Sequence, residues 1–513
     1  MHRPFVPIAA AAALALVMPA SAGAAGFTFG VAAGEVSASS AKLWARAPKT
    51  GKSTVEVSTA KSFKALAGTG SASAAKSHDL TVQATVKKLK AGKRYYYRWV
   101  QGSAKSKTGT FTTAPAATND GTIKFAYSGD ADAQPPVGKT TPFYNRFEVY
   151  KRMLAEGNAF NVNFGDTIYS DSEVPGRGAN AASVKQKWAK YQQNLGLANL
   201  QALRGGAGVY SHWDDHEFVN DFTKAENGTA IYKAGVQAFT DYAPVTYSPA
   251  NGLYRTFRWG KNLEVFFLDE RSFRSAKASA NGACDNNGSP DLAPTAPQST
   301  RSLFGIIVPA LNNPVKPGCL GVTNDPNRTM LGSAQLAKFE AAVKASTATF
   351  KVIMNEVPIQ QFYALPYDRW EGYEAERKSL VQFLQTNVKN AVFLTTDVHA
   401  NLVNTVKFST LGENGPAIDS GIMDFTTGPV ATMTFSKEIS NSTNNPGAGT
   451  LVTAAFFKDP SQLNMKCAAT DVFSYAEVVV NGSQLTWTPK DLNGRPVLQA
   501  GGVPCGPFTV TKQ

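Results

Sequence analysis

The chain has 513 residues, with 51 Lys and Arg against 38 Asp and Glu, a formal net charge of +13. At about 100 to 200 residues per domain this length predicts two or more domains, so core size is not limiting. The basic residues are scattered, with no tract of five or more and no nucleic-acid-binding motif. The charge therefore expresses a mild preference for anionic substrates, and specific nucleic-acid recognition is not expected.

Taken in chain order, the first segment is apolar over residues 8–18, with Arg3 ahead and Ala20, Ser21 and Ala22 behind. Residues 1–24 thus read as a secretory signal peptide, cleaved after Ala22 or Ala24, and the protein as exported, periplasmic or extracellular. A membrane anchor is the rival reading, but the run is too short for about 30 Å of hydrocarbon, and no later stretch of about 18 apolar residues predicts a transmembrane segment.

Residues 27–115 alternate in short segments such as Ser53-Thr-Val-Glu-Val-Ser58, broken by Gly, Ser and Lys, which predicts a fibronectin- or immunoglobulin-like β-sandwich domain. A Thr/Ala/Pro/Asn linker places a boundary between Pro115 and Gly121, and residues 121–513 read as the catalytic domain. There, strands are predicted over 123–127, 160–164, 208–213, 263–268, 350–354 and 391–395. Helices are predicted over 143–154, 182–203, 229–242, 333–345 and 371–388, an α/β arrangement with helices on the faces of the sheet.

Residues 278–328 read as a disulfide-tied insertion. Four cysteines in an exported chain predict two disulfides, and proximity favours Cys284 with Cys319 and Cys467 with Cys505, although three pairings exist. A four-thiolate metal site would want C-x-x-C spacing, which is absent.

Chemistry-bearing residues recur at the ends of these strands: Asp130, Asp166 with Tyr169 behind it, Asp214, Asp215 and His216, Asn355, then Asp397 and His399. Ligands of open α/β sheets gather outside the carboxyl ends of the strands, so these side chains are expected to converge. Taken singly, a strand-end Asp is as readily a helix cap or a turn residue. Carboxylates brought together repel and lose solvation unless a multivalent cation neutralises them, and five such strand ends in one chain predict a metal cluster.

The motifs Gly129-Asp130, Gly165-Asp166-Thr-Ile-Tyr169, Trp213-Asp-Asp-His-Glu217, Val352-Ile-Met-Asn355 and Asp397-Val-His399 resemble, in this order, the calcineurin-like metallophosphoesterases. They are more closely similar to the PhoD-type alkaline phosphatases and phosphodiesterases, as are Leu268-Asp-Glu-Arg-Ser-Phe-Arg274 and Asp368-Arg-Trp-Glu371. The likeness extends over most of the chain, including Phe29-Gly-Val-Ala-Ala-Gly-Glu35 in the sandwich. It implies a metallophosphoesterase-like β-sandwich core flanked by helices and a hydrolase of phosphoric mono- or diesters. Two positions depart from the pattern: Asp130 stands where that family usually has cysteine, and Asn220-Asp221 replaces a frequent Asn-Asn pair.

Carried over residue by residue, the resemblance implies a first metal held by Asp130, Asp166, Tyr169 and His399. Asp166 would bridge to a second held by Asp215, Asn355 and Asp397. A phenolate with one imidazole suits Fe(III), and the oxygen-rich second site suits Ca(II), with Zn(II), Mn(II) or Mg(II) as alternatives. Asp132 and Asn220 are further candidate ligands or their partners.

His216 is the expected transition-state stabiliser or proton donor, and Arg271 with Arg274 either grips phosphate or pairs with Asp269. His212 receives no role. The protein is expected to act as a monomer. Competing readings are a phospholipase-type phosphodiesterase and a secreted adhesion protein whose acidic cluster binds structural calcium. The latter needs no histidine in its cluster.

Overall fold

The computed structural model describes residues 26–280, 282–284, 301–302, 305–307, 309–313, 316–362, 367–408, 418–455 and 465–513. The expected signal peptide and much of the expected insertion lie outside the described residues.

Near the N-terminus, strands Thr28–Gly34, Ala41–Arg46 and Thr81–Val86 form one antiparallel sheet. Strands Gly68–Ala74, Gly51–Ser58, Arg94–Gln101, Ala104–Lys105 and Gly109–Thr112 form a second, also antiparallel. Alternate residues Val55 and Val57 of one strand and Tyr95, Tyr97 and Trp99 of another turn inward and are buried, as the period of two in the sequence requires. Polar contacts fix this module to the long helix Lys224–Tyr242: the Trp44 indole donates to the Asp241 carbonyl at 2.7 Å, and His78 Nδ1 meets the Asp241 carboxylate at 2.7 Å.

The remaining strands form two stacked sheets. In the six-stranded sheet, Val209–His212, Phe160–Phe164 and Ile123–Ser128 run parallel, and Ser474–Val480, Gln484–Asp491 and Phe508–Thr511 continue antiparallel. In the seven-stranded sheet, Leu263–Phe267, Phe350–Asn355, Ala391–Thr395 and Asp419–Thr426 run parallel, with Arg255–Trp259, Asn401–Lys407 and Cys467–Ala469 antiparallel at the edges. Alternation again sorts the side chains. Phe125, Tyr127, Val162 and Phe164 meet Val352, Met354, Leu394 and Phe425 between the sheets, whereas Ala126, Ile353 and Phe393 face the helices outside.

The predicted strands 160–164 and 391–395 and the helix 333–345 are found at the same limits. The expected helix 182–203 is instead two, Val184–Leu195 and Ala198–Gly206, broken at Gly196 and Leu197. Glycine costs a helix about 1 kcal/mol, and buried Asn194 at this break donates to the carbonyls of Ala131 and Thr167, both at 2.8 Å. The expected 371–388 helix begins as a 3-10 turn, Trp370–Tyr373, before Glu374–Asn387. Both favoured disulfides, Cys284–Cys319 and Cys467–Cys505, are present. No helix among the described residues is long and apolar enough to cross a membrane.

Candidate functional site

Both sheets direct the carboxyl ends of their parallel strands to one place. Asp130, Asp166 and Asp214 to His216 follow strands of the six-stranded sheet, and Asp397 and His399 follow a strand of the seven-stranded one. The chain turns sharply at each exit. Asp130, Asp166, Asp397 and His399 hold φ of 64°, 45°, 68° and 51°, left-handed backbone that costs a non-glycine residue of order 1 kcal/mol or more and persists only where the surroundings impose it.

Three features impose it here. A Cβ on Gly129 would lie 1.9 Å from the Phe164 carbonyl oxygen, so only glycine lets these two exits touch. Glu217 accepts from the Thr167 amide at 2.6 Å and the Asp214 amide at 2.9 Å, tying the second exit to the third. Segment 428–431 ties in the other sheet: the Val430 and Ala431 amides donate to the Gly129 and Asp130 carbonyls at 2.8 and 3.0 Å.

The result is a cavity of about 180 Å³ whose walls include Asp166, Asp215, His216, Asn220, Asp397 and His399. Potential ligand atoms of Asp130, Asp166 and His399 lie within 4.8 Å of one another, as do those of Asp166, Asp215 and His216, and of Asp214, Asp215 and Asp397. Asp166 therefore belongs to two adjoining groups. The Tyr169 hydroxyl lies 3.0 Å from His399 Nε2, and its ring stacks on His216 with centroids 4.0 Å apart.

Burial, with Asp214 and Asp215 close by, holds the carboxyl groups of Asp130 and Asp166 well above the usual range. Burial and Asp214 do the same to Asp397, against the pull of Arg369 and Arg271. Burial, reinforced by His216, lowers His399 to about 3, leaving a neutral imidazole able to bind a cation. Both carboxylate oxygens of Asp130 and Nδ1 of His399 are buried without a hydrogen-bond partner. Hard oxygens and imidazole left unsatisfied, with uncompensated negative charge, are the donor set that a multivalent cation fits.

His216 is set differently. Its Nδ1 lies 2.6 Å from Asp171 Oδ1, and Asp171 Oδ2 accepts the Asn220 amide at 2.7 Å. Burial alone would depress the imidazole, but Asp171, Asp166 and Asp215 outweigh it and raise its pKa well above the ordinary value.

Other residues of the expected site are placed away from the cavity wall. Asn355 is buried with Oδ1 3.3 Å from the Trp370 indole nitrogen and Nδ2 on the Val357 carbonyl. Asp132 accepts from Ser172 at 2.5 Å and from the Gln134 amide at 2.9 Å.

Arg271 is fully buried, and the expected pairing with Asp269 is corrected. Its guanidinium binds Asp214 at 2.5 Å and Asp368 at 2.9 Å, and Asp269 receives only its backbone amide. Arg274 likewise binds Asp368, at 3.0 Å. His212, given no role, is buried against Glu356 at 2.8 Å.

Sequence reasoning missed Asp171, Asn194, Glu217, Arg369 and Glu438, the last a cavity-wall carboxylate 3.8 Å from His399 Nδ1. Asp171 and Glu217 sit within two residues of named candidates, and Arg369 lies inside a quoted motif, but nothing in their spacing says which way they point.

Comparison with known proteins agrees with this geometry. A family model described as PhoD-like phosphatase matches residues 137–486, and one for the PhoD-like phosphatase N-terminal domain matches residues 10–115. This chain belongs to the PhoD-like phosphatase family. Alkaline phosphatase D of Bacillus subtilis (strain 168) is 26% identical over 423 residues, 73% of this chain and 64% of that protein. The PhoD-like chain thus spans under two thirds of the length of that curated relative.

In fold it is similar to the solved structure of PhoD, with a TM-score of 0.70 and 21% identity over 95% of this chain and 89% of that one. It is also similar to purple acid phosphatase PPD1 from yellow lupin (Lupinus luteus) seeds, with a TM-score of 0.57 and 11% identity over 95% and 74%.

Proposed function

We propose that this chain is an exported, metal-dependent hydrolase of phosphoric esters, with the cluster around Asp166 as its active site. The observation that carries the reading is the sharing of Asp166 between two adjoining groups of buried ligand atoms, one with Asp130 and His399 and the other with Asp215 and His216. Family membership supports the reaction class. The two disulfides fit an oxidising compartment, and in our reading residues 1–24 are the export signal, 27–115 the accessory sandwich and 121–513 the catalytic domain.

Asp130, Asp166, Tyr169 and His399 would hold one cation, and Asp166, Asp215, Asp397 and the Oδ1 of Asn355 a second, the Asn355 amide being oriented by its Nδ2 bond to the Val357 carbonyl. Tyr169 favours Fe(III) at the first, and the carboxylates favour Ca(II) at the second, with Zn(II), Mn(II) or Mg(II) as alternatives. Bound cations supply charge neutralisation for the phosphoryl group and acidify a water molecule.

The chain's own residues do the rest. Phosphoryl transfer asks mainly for position and charge, so no protein nucleophile is needed. His216, its Nδ1 engaged by Asp171, presents Nε2 for a hydrogen bond to the phosphoryl oxygen or a proton to the leaving group. Arg271 holds Asp214 and the cavity-wall Asp368, and its Nη2 stands 3.9 Å from Asp215 and 3.8 Å from Asp397, so it positions the carboxylates of the cluster. The presence of two histidines in the cluster favours catalysis over the calcium-only adhesion reading.

Metal analysis of purified protein, with chromogenic phosphate monoester and diester assays, tests the proposal. Asp397→Ala and His399→Ala are expected to abolish turnover with the fold intact, and full activity in either refutes the ligand assignment.

A further inference from the structure

The chain's positive charge is not evenly shared between its parts. Residues 27–115 hold 15 Lys and Arg against 3 Asp and Glu, a balance of +12 out of the chain's +13. Those three acids are already engaged: Glu35 with Arg255 at 3.3 Å, Glu56 with Arg98 at 2.7 Å and Asp79 with Arg46 at 2.9 Å. Most of the remaining sandwich cations, including Lys61, Lys87, Lys88, Arg94 and Lys107, are exposed. Concentrated charge of one sign raises the local concentration of oppositely charged polymers and speeds their encounter.

Part of this charge lines a concavity. Between the outer face of the sandwich sheet containing Arg94–Gln101 and the helix Ala198–Gly206 lies a cleft of about 840 Å³, far larger than the 180 Å³ cavity of the acidic cluster. Lys61, Arg94 and Lys107 stand at its wall, and no carboxylate does among the described residues lining it. Arg94 and Tyr96, two apart on one strand, point to the same face. The Tyr96 ring is half-buried, with the Arg94 guanidinium 5.6 Å and the Lys61 ammonium 5.8 Å from its centroid. Thr110 pairs with Tyr96 across the ladder and closes the base of the cleft through a 2.8 Å hydrogen bond to the Gly206 carbonyl. Thr108 and Gln201 add polar groups to the wall.

We propose that this cleft between the sandwich and the Ala198–Gly206 helix binds an acidic polysaccharide, a chain of sugar rings bearing carboxylates. The concave shape takes a linear polymer, the single tyrosine face offers a platform for one apolar sugar face, and the three cations meet carboxylates spaced along the chain. A flat anionic bilayer fits less well, because Leu66 is the one exposed large hydrophobic side chain of the sandwich among the described residues. A single-stranded nucleic acid fits less well, because successive bases stack on successive aromatic rings and the described residues lining the cleft include one.

The test uses the full chain with polygalacturonate as probe and neutral dextran, single-stranded DNA and anionic phospholipid vesicles as comparators, at low and physiological salt. Polygalacturonate is expected to bind, more weakly as salt rises, and dextran not to. The triple variant Lys61→Ser, Arg94→Ser, Lys107→Ser should lose affinity about tenfold or more, and a triple variant of equal charge outside the cleft, Lys76→Ser, Lys87→Ser, Lys88→Ser, less than about threefold.

Thermal melting and turnover of a small phosphate ester should be unchanged in both, and the single variant Lys107→Glu serves if the cleft triple misfolds. Equal losses in the two triples, no binding of polygalacturonate, or tighter binding of DNA or vesicles with the same dependence on the cleft residues would each overturn the proposal.

Discussion

His216 carries two demands at once in the proposed mechanism, since the Asp171 carboxylate lies behind it and the phosphoryl group would lie in front. Asp171 holds its Nδ1 at 2.6 Å and raises its pKa, so Asp171→Asn is expected to lower kcat on the order of 10- to 100-fold, leave metal content unchanged and move any pH limb due to His216 to lower pH. Steady-state rates across pH, read beside metal analysis, check this, and an unshifted profile would leave Asp171 with no orienting role. Arg271 poses a question of stability. Burial opposes its charge, but Asp214, Asp368 and Asp215 hold it protonated. Arg271→Met leaves the buried Asp214 carboxylate without its guanidinium partner, while Asp368 keeps Arg274, and should cost about 3 to 5 kcal/mol in urea unfolding, with Arg271→Lys a poor rescue because an ammonium cannot fork between Asp214 and Asp368.

At the scale of the element, the site is made by how strands end. The strands that lead to Asp130, Asp166 and Asp397 each leave through a left-handed residue, and neighbouring exits are pressed together through backbone. Gly129→Ala would drive a Cβ into the Phe164 carbonyl, and since both sides of that contact are main chain it should destabilise by about 3 kcal/mol or more, measurable as a lower melting temperature and a lower folded yield. Strand existence was legible because apolar runs such as 391–395 and 160–164 are bounded by turn residues. The break at Gly196 was not, because apolar spacing continues across it, and the deciding interaction is the tertiary bond from Asn194 to loops more than twenty residues upstream.

For the whole molecule, metal and protons compete for the same carboxylates. Burial raises the pKa of Asp130, Asp166 and Asp397, so without a cation these three groups hold more protons in the fold than in the unfolded chain. The stability these three carboxyl groups contribute to metal-stripped protein is then fully present below the ordinary carboxylate range near 4 and is lost as pH rises above it. Cations reverse that loss, so the gap in melting temperature between metal-loaded and stripped protein should widen from pH 5 to pH 8. A gap independent of pH would mean that these carboxylates are not where the cations bind.

Local chemistry was enough for the sequence to determine the all-β segment after residue 27, the alternation of strands with helices beyond residue 121, and the recurrence of Asp and His at strand ends, since each depends on spacings of a few residues. Only the tertiary structure decided that the parallel strands divide between two stacked sheets, that Asp166 is shared by two groups of ligand atoms, that Asn355 bonds to Val357 and Asp132 to Ser172, and that Arg271 serves Asp214 and Asp368. Those outcomes depend on which strand lies beside which and how each exit is packed, and contacts between residues tens to hundreds of positions apart leave no periodic trace in one chain.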